Sequence, residues 1–227
     1  DDAQSYLADA GAIFHRVLGE RDPHTLEARN AYAGSLLKTG KYSESEASQR
    51  VTLELRRRIL GEEHQDTLAT MSDLANALYG QGRYEEAADF YRKILEVQVR
   101  RYGEKDKTTL AMMVNMGGIL ATQERLAEAE AVIRRMLSLC DGVLSEDHPT
   151  RLTAMNNLAG ILADAGHFAE AESIARRTLE IRRRVLGSEH DSTLGTMCEL
   201  ANAVSQQGRF AEADELASEA LTVWDAK

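Results

Sequence analysis

Residues 148–189 read HPTRLTAMNNLAGILADAGHFAEAESIARRTLEIRRRVLGSE, and this stretch decides the fold. Leu152, Met155, Leu158, Ala159 and Leu162 recur at three- and four-residue steps, the stripe of an amphipathic helix. Ala165-Gly166-His167 breaks the pattern. A second stripe runs through Phe168, Ala171, Ile174, Ala175 and Leu179 and stops at Val185-Leu186-Gly187. The pattern predicts a helical hairpin, with a first helix near 148–165 and a second near 169–186.

The same punctuation recurs along the chain. Leu18-Gly19, Leu60-Gly61, Tyr102-Gly103, Leu144-Ser145 and Leu186-Gly187 fall 42 residues apart without an insertion. A fixed period of this length marks a solenoid of small supersecondary units. It predicts one array over 1–227, made of units 20–61, 62–103, 104–145, 146–187 and 188–227, with 1–19 as a lone second helix of a preceding unit. Gly40, Gly82, Gly166 and Gly208 mark the hairpin turns, where a left-handed residue closes a helix. Pro23 and Pro149 share one repeat position, suited to the first residue of a helix. Asp22 and Asp106 read as N-caps.

His64, His148 and His190 share a position too. Successive units stack roughly 10 Å apart, whereas zinc ligands must all stand about 2 Å from one ion. These histidines are therefore expected to cap or pin the turns between units, and no metal site is expected. Second helices open acidic and close basic, as at Glu170-Glu172 and Arg182-Arg183-Arg184, which complements the helix dipole. The arginine triplets, here and at Arg56-Arg57-Arg58, are expected to be solvated helix ends.

Composition narrows the function. The net charge is −10 and no basic face stands out, which argues against nucleic acid and against an anionic membrane surface. No apolar run approaches the roughly 18 residues of a membrane span, and no signal peptide opens the chain. Two cysteines, Cys140 and Cys198, cannot staple five units, so a reducing, cytoplasmic setting is expected. The chain begins Asp-Asp inside a helix pattern and reads as a fragment of a longer protein. No HExxH, CxxC, GxSxG, Walker or GxGxxG motif occurs, so no enzyme, catalytic residue or cofactor is expected. The repeat register places no histidine beside Cys198, which reads as a packed or groove-lining thiol.

Ala159, Gly166, Phe168 and Ala171 resemble the small–Gly–aromatic–Ala signature of tetratricopeptide repeats. So do Ala75, Gly82, Tyr84 and Ala87, and Ala201, Gly208, Phe210 and Ala213. The 42-residue form, with Met155-Asn156-Asn157-Leu158-Ala159 and Leu186-Gly187 followed by His190, is similar to the repeats of kinesin light chain and nephrocystin-like proteins. The resemblance implies an all-α, right-handed α-solenoid of helix-turn-helix repeats. It implies a non-catalytic scaffold or adaptor that binds protein or peptide in a concave groove lined by first helices.

Groove positions carried over from the resemblance form three sets. The first includes Asn30, Ser72, Val114, Asn156 and Cys198. One turn on are Gly34, Asn76, Gly118, Gly160 and Asn202. The third includes Tyr79. Asparagine suits an extended guest because its amide both donates and accepts. Two alternatives stand beside this reading. One is a regulatory sensor array of a NACHT or NB-ARC signalling ATPase. The other is self-association through uncapped ends, where Trp224 is expected to be exposed. The third unit departs most: Glu124 replaces the turn glycine, and Gly117-Gly118 lies inside its first helix, so that either the array bends there or something approaches the backbone closely.

Overall fold

The computed structural model describes residues 2–225; residue 1 and residues 226–227, which the repeat period assigns to the first and last segments, lie outside this range. The described residues form eleven α-helices and no strand. The first helices of the five hairpins are α2 (Pro23–Lys38), α4 (Gln65–Gly80), α6 (Lys107–Thr122), α8 (Pro149–Asp164) and α10 (Asp191–Ser205). The second helices are α3 (Tyr42–Leu60), α5 (Tyr84–Tyr102), α7 (Leu126–Leu139), α9 (Phe168–Leu186) and α11 (Phe210–Asp225), and α1 (Asp2–Leu18) precedes them alone. The hairpin expected over 148–186 is present to within a residue or so at each end. The chain divides into two compact units, one up to Val97 and one from Gln98 onward.

One repeat position starts all five first helices. Asp22 Oδ1 accepts the His24 amide at 2.9 Å, and Asp106 Oδ1 accepts the Thr108 amide at 2.9 Å. His64, His148 and His190 do the same through Nδ1, accepting from Asp66, Thr150 and Ser192 at 3.2, 3.2 and 3.1 Å. Asp Oδ1 and His Nδ1 stand the same number of bonds from the backbone, so either type serves as N-cap. An accepting Nδ1 places the ring proton on Nε2. Pro23 and Pro149 follow directly as first helical residues.

Three first helices, α2, α4 and α10, are tied to the turn before them. The Thr25, Thr67 and Thr193 hydroxyls donate to the Gly19, Gly61 and Gly187 carbonyls at 2.8–2.9 Å. The hairpin turns use positive φ at Gly40, Gly82, Gly166 and Gly208, and Glu124 takes the same conformation at φ 59°. Alanines at Ala33, Ala75, Ala159 and Ala201 are buried and let paired helices approach closely. Around them, Leu36, Leu74 and Leu78 fill the core of the first unit, and Leu110, Ile133, Leu162 and Leu194 that of the second.

Consecutive second helices are joined by a carboxylate clasp that occurs once in each unit. Glu46 accepts from Arg50 and Gln81 at 2.8 Å and from Arg83 at 2.7 Å. Three repeats later Glu172 accepts from Arg176, Gln207 and Arg209, each at 2.8 Å. Burial opposes the charged form of Glu172, but these three donors more than offset it and hold its pKa down to about 2.

The arginine triplets differ from expectation. Arg57 and Arg58 lie toward solvent, but Arg56 and Arg182 are 7% and 6% exposed. Each folds back between its own hairpin and the next first helix, for the reasons given below.

Candidate functional site on the first-helix face

In the first unit, α2 and α4 lie side by side and present Asn30, Ser72, Asn76 and Tyr79. Asn76 and Tyr79 are exposed, and Ser72 is half-buried. The Asn76 carbonyl accepts the hydroxyl of buried Tyr91 on α5, which fixes the amide's orientation. The Tyr79 ring stands 5.2 Å from that of Tyr84. Asn30 is half-buried and engaged: its Nδ2 donates to Asp73 at 3.1 Å, and its Oδ1 lies 3.5 Å from the Thr70 hydroxyl. Burial pushes the Asp73 carboxyl up, against the pull of Asn30, Arg56 and Gln49.

In the second unit, α6, α8 and α10 carry Val114, Asn156, Cys198 and Asn202. Cys198 and Asn202 are exposed, while Gly118 and Gly160 are half-buried. Val114 is 5% exposed and offers a guest no surface, so it does not belong to the candidate face. Asn156 is half-buried, and its carbonyl accepts from Arg182 Nη1 at 3.2 Å and from the Thr196 hydroxyl at 2.8 Å. Arg182 Nη1 also donates to the Ser192 carbonyl and the Thr196 hydroxyl, both at 2.6 Å. In the first unit Arg56 Nη1 likewise donates to the Asp66 carbonyl at 2.9 Å and to Thr70 at 2.7 Å. Asn30 and Asn156 are thus parts of a buried inter-repeat clasp before they are parts of a groove. The sequence carried a signal for it: Arg56 and Arg182, Thr70 and Thr196, and Asn30 and Asn156 recur together, whereas the third-unit positions hold Cys140, Ala154 and Val114, all buried.

Glu199, also on α10, escaped the sequence reading. Its carboxylate rests over Gly160, where a Cβ would stand 3.4 Å from Oε2, and burial and nearby Asp164 push its pKa up. Burial and Glu199 also push the Cys198 thiol up, which favours the neutral thiol over a nucleophilic thiolate. Among the described residues no group of three or more His, Cys, Asp or Glu side chains is placed to hold a metal ion. No helix of the described residues is long and apolar enough to cross a membrane.

In each unit the first helices thus present amides and small residues, with a tyrosine in the first. Family comparison agrees with the geometry of the hairpins. A tetratricopeptide repeat model matches residues 25–98, 108–184 and 150–226, and a second such model matches 72–143. The chain belongs to the tetratricopeptide repeat family.

Among solved structures, BtubC (BKLC) from P. vanneervenii is similar with a TM-score of 0.78 and 20% identity, covering 98% of this chain and 90% of that one. The nearly identical TPR-like repeats of a kinesin light chain-type protein from Podosopora anserina give 0.73 and 23%, over 87% and 93% of the two chains. The apo form of the quorum sensor NprR from B. thuringiensis gives 0.65 and 15%, over 98% and 71%. The fold is that of an all-α solenoid of kinesin light chain-like repeats. No curated protein matches the chain significantly.

Proposed function

We propose that the chain is a non-catalytic scaffold that binds an extended segment of a partner protein along the first-helix face of each compact unit. The observation that carries this reading is a pair of exposed asparagines on identical tetrapeptides, although Tyr91, which bonds Asn76, has Ala217 at its repeat position in the second unit. Leu74-Ala75-Asn76-Ala77 in the first unit and Leu200-Ala201-Asn202-Ala203 in the second each point one carboxamide to solvent from a helix whose opposite side is buried. A carboxamide pairs with both groups of a peptide backbone. In the second unit Gly118, where an added Cβ would meet only Asn157 Nδ2 at 3.8 Å, leaves room for that backbone to approach.

The test begins with a phage-displayed peptide library selected on the chain. Asn76→Ala should weaken a selected peptide held by the first unit, and Asn202→Ala one held by the second, each about 3- to 10-fold, the loss of one hydrogen-bonding side chain, with circular dichroism unchanged. A peptide that both variants bind as tightly as the parent would refute the assignment of this face.

A further inference from the structure

The geometry points to a second docking site on the other side of the second unit. It is a cleft between α7 and α9 that takes an aliphatic side chain flanked by a carboxylate from a partner polypeptide.

The third repeat departs from the others at this place. α7 ends after 14 residues, where α3 and α9 run for 19. The chain turns through Cys140 to Gly142, the latter at φ 78°, and Leu144 tucks inward at 4% exposure. Its equivalents Leu18, Leu60 and Leu186 remain 38–47% exposed. Where the helical turn is missing, a cleft of about 250 Å³ opens over Leu137, Met155, Ile174 and Ile181. Leu137 is only half-buried, although Leu53 and Leu179 at the same repeat position are buried. The volume falls below the roughly 300–1,000 Å³ of cofactor-sized sites and suits one or two side chains.

Charge at the mouth specifies the rest of the guest. Arg151 stands where Thr25, Thr67 and Thr193 tie α2, α4 and α10 to a glycine carbonyl. Its side chain is 18% exposed, bonded to the Leu144 carbonyl at 3.4 Å and paired at 3.3 Å with Asp141, which is 82% exposed. Across the mouth Arg177 pairs with Glu146 at 3.0 Å, both well exposed. A solvated pair such as Arg177–Glu146 contributes only about 0–1 kcal/mol. A guest carboxylate therefore replaces Glu146 at little cost, while its aliphatic neighbour covers the apolar floor. The cleft shares no residue with the asparagine face, so it stands or falls independently of the proposed function.

A fluorescein-labelled peptide, Gly-Ser-Glu-Leu-Glu-Ser-Gly, is the probe, read by fluorescence anisotropy up to about millimolar protein. Saturable binding is expected, weakened about tenfold by Arg177→Glu and by replacing the probe's leucine with glycine, and falling as salt rises. Arg177 is a surface residue, so the variant should melt like the parent. No saturable binding, or an affinity that Arg177→Glu leaves unchanged, would overturn the site.

Discussion

At Arg182 a full positive charge sits in the core of an acidic repeat protein, and neutral oxygens hold it there. The Asn156, Thr196 and Ser192 acceptors surround one guanidinium nitrogen at 2.6–3.2 Å. Burial lowers the arginine's pKa, as expected of a desolvated cation. Removing one partner of a buried charge costs more than replacing the whole set with apolar groups of similar shape. The chain itself contains that replacement, as Val114, Ala154 and Cys140. Asn156→Val alone should therefore cost about 1–3 kcal/mol in urea unfolding. Adding Thr196→Ala and Arg182→Cys should recover most of the loss. A triple variant less stable than the single would show that the three residues do not act as one unit.

At the scale of the helix, α6 carries two consecutive glycines with opposite roles. A Cβ on Gly117 would stand 2.4 Å from Ile133 Cδ1 on α7, so the absence of a side chain is what allows the two helices to pack this closely. On Gly118 a Cβ would meet only Asn157 Nδ2, at 3.8 Å. Gly117→Ala should cost about 1–3 kcal/mol through overpacking, and Gly118→Ala should gain up to about 1 kcal/mol from helix propensity. Equal effects of both substitutions in thermal melts would contradict the packing argument.

The helices also show where sequence reading reaches its limit. Pro23, Asp22, the turn glycines and the aligned histidines act on residues a few positions away, and their roles were legible from spacing alone. The pair Gly117-Gly118 was legible as an anomaly, with a close approach to the backbone as one expectation. Which glycine was approached, and by what, depended on α7. Arg182 was misread as a solvated helix end because its partners Asn156 and Thr196 lie 26 and 14 residues away, and a dipole argument accounts for any terminal arginine equally well. The resemblance placed Val114 among the groove positions. It is the apolar member of a different core solution.

Across the whole molecule the two compact units carry the same devices three repeats apart. Glu46 and Glu172 clasp their neighbours through matching donors, Arg56 and Arg182 bind matching acceptors, and Asn76 and Asn202 stand on identical tetrapeptides. Repeat proteins derive stability from such nearest-neighbour interfaces, which leaves the exposed asparagines without a structural duty at the level of the stack. Under the proposed function, exposed Asn202 serves binding, whereas engaged Asn156 serves cohesion.

The two cysteines allow the most direct test of that assignment. Cys198 is exposed on the first-helix face, and Cys140 is buried and serves as the internal control. The rate of alkylation of Cys198 would be measured with and without a saturating selected peptide. A selected peptide held by the second unit is expected to slow Cys198 labelling at least about tenfold while Cys140 remains unlabelled throughout. An unchanged Cys198 rate in a fully formed complex would place the partner elsewhere and contradict the proposed binding face.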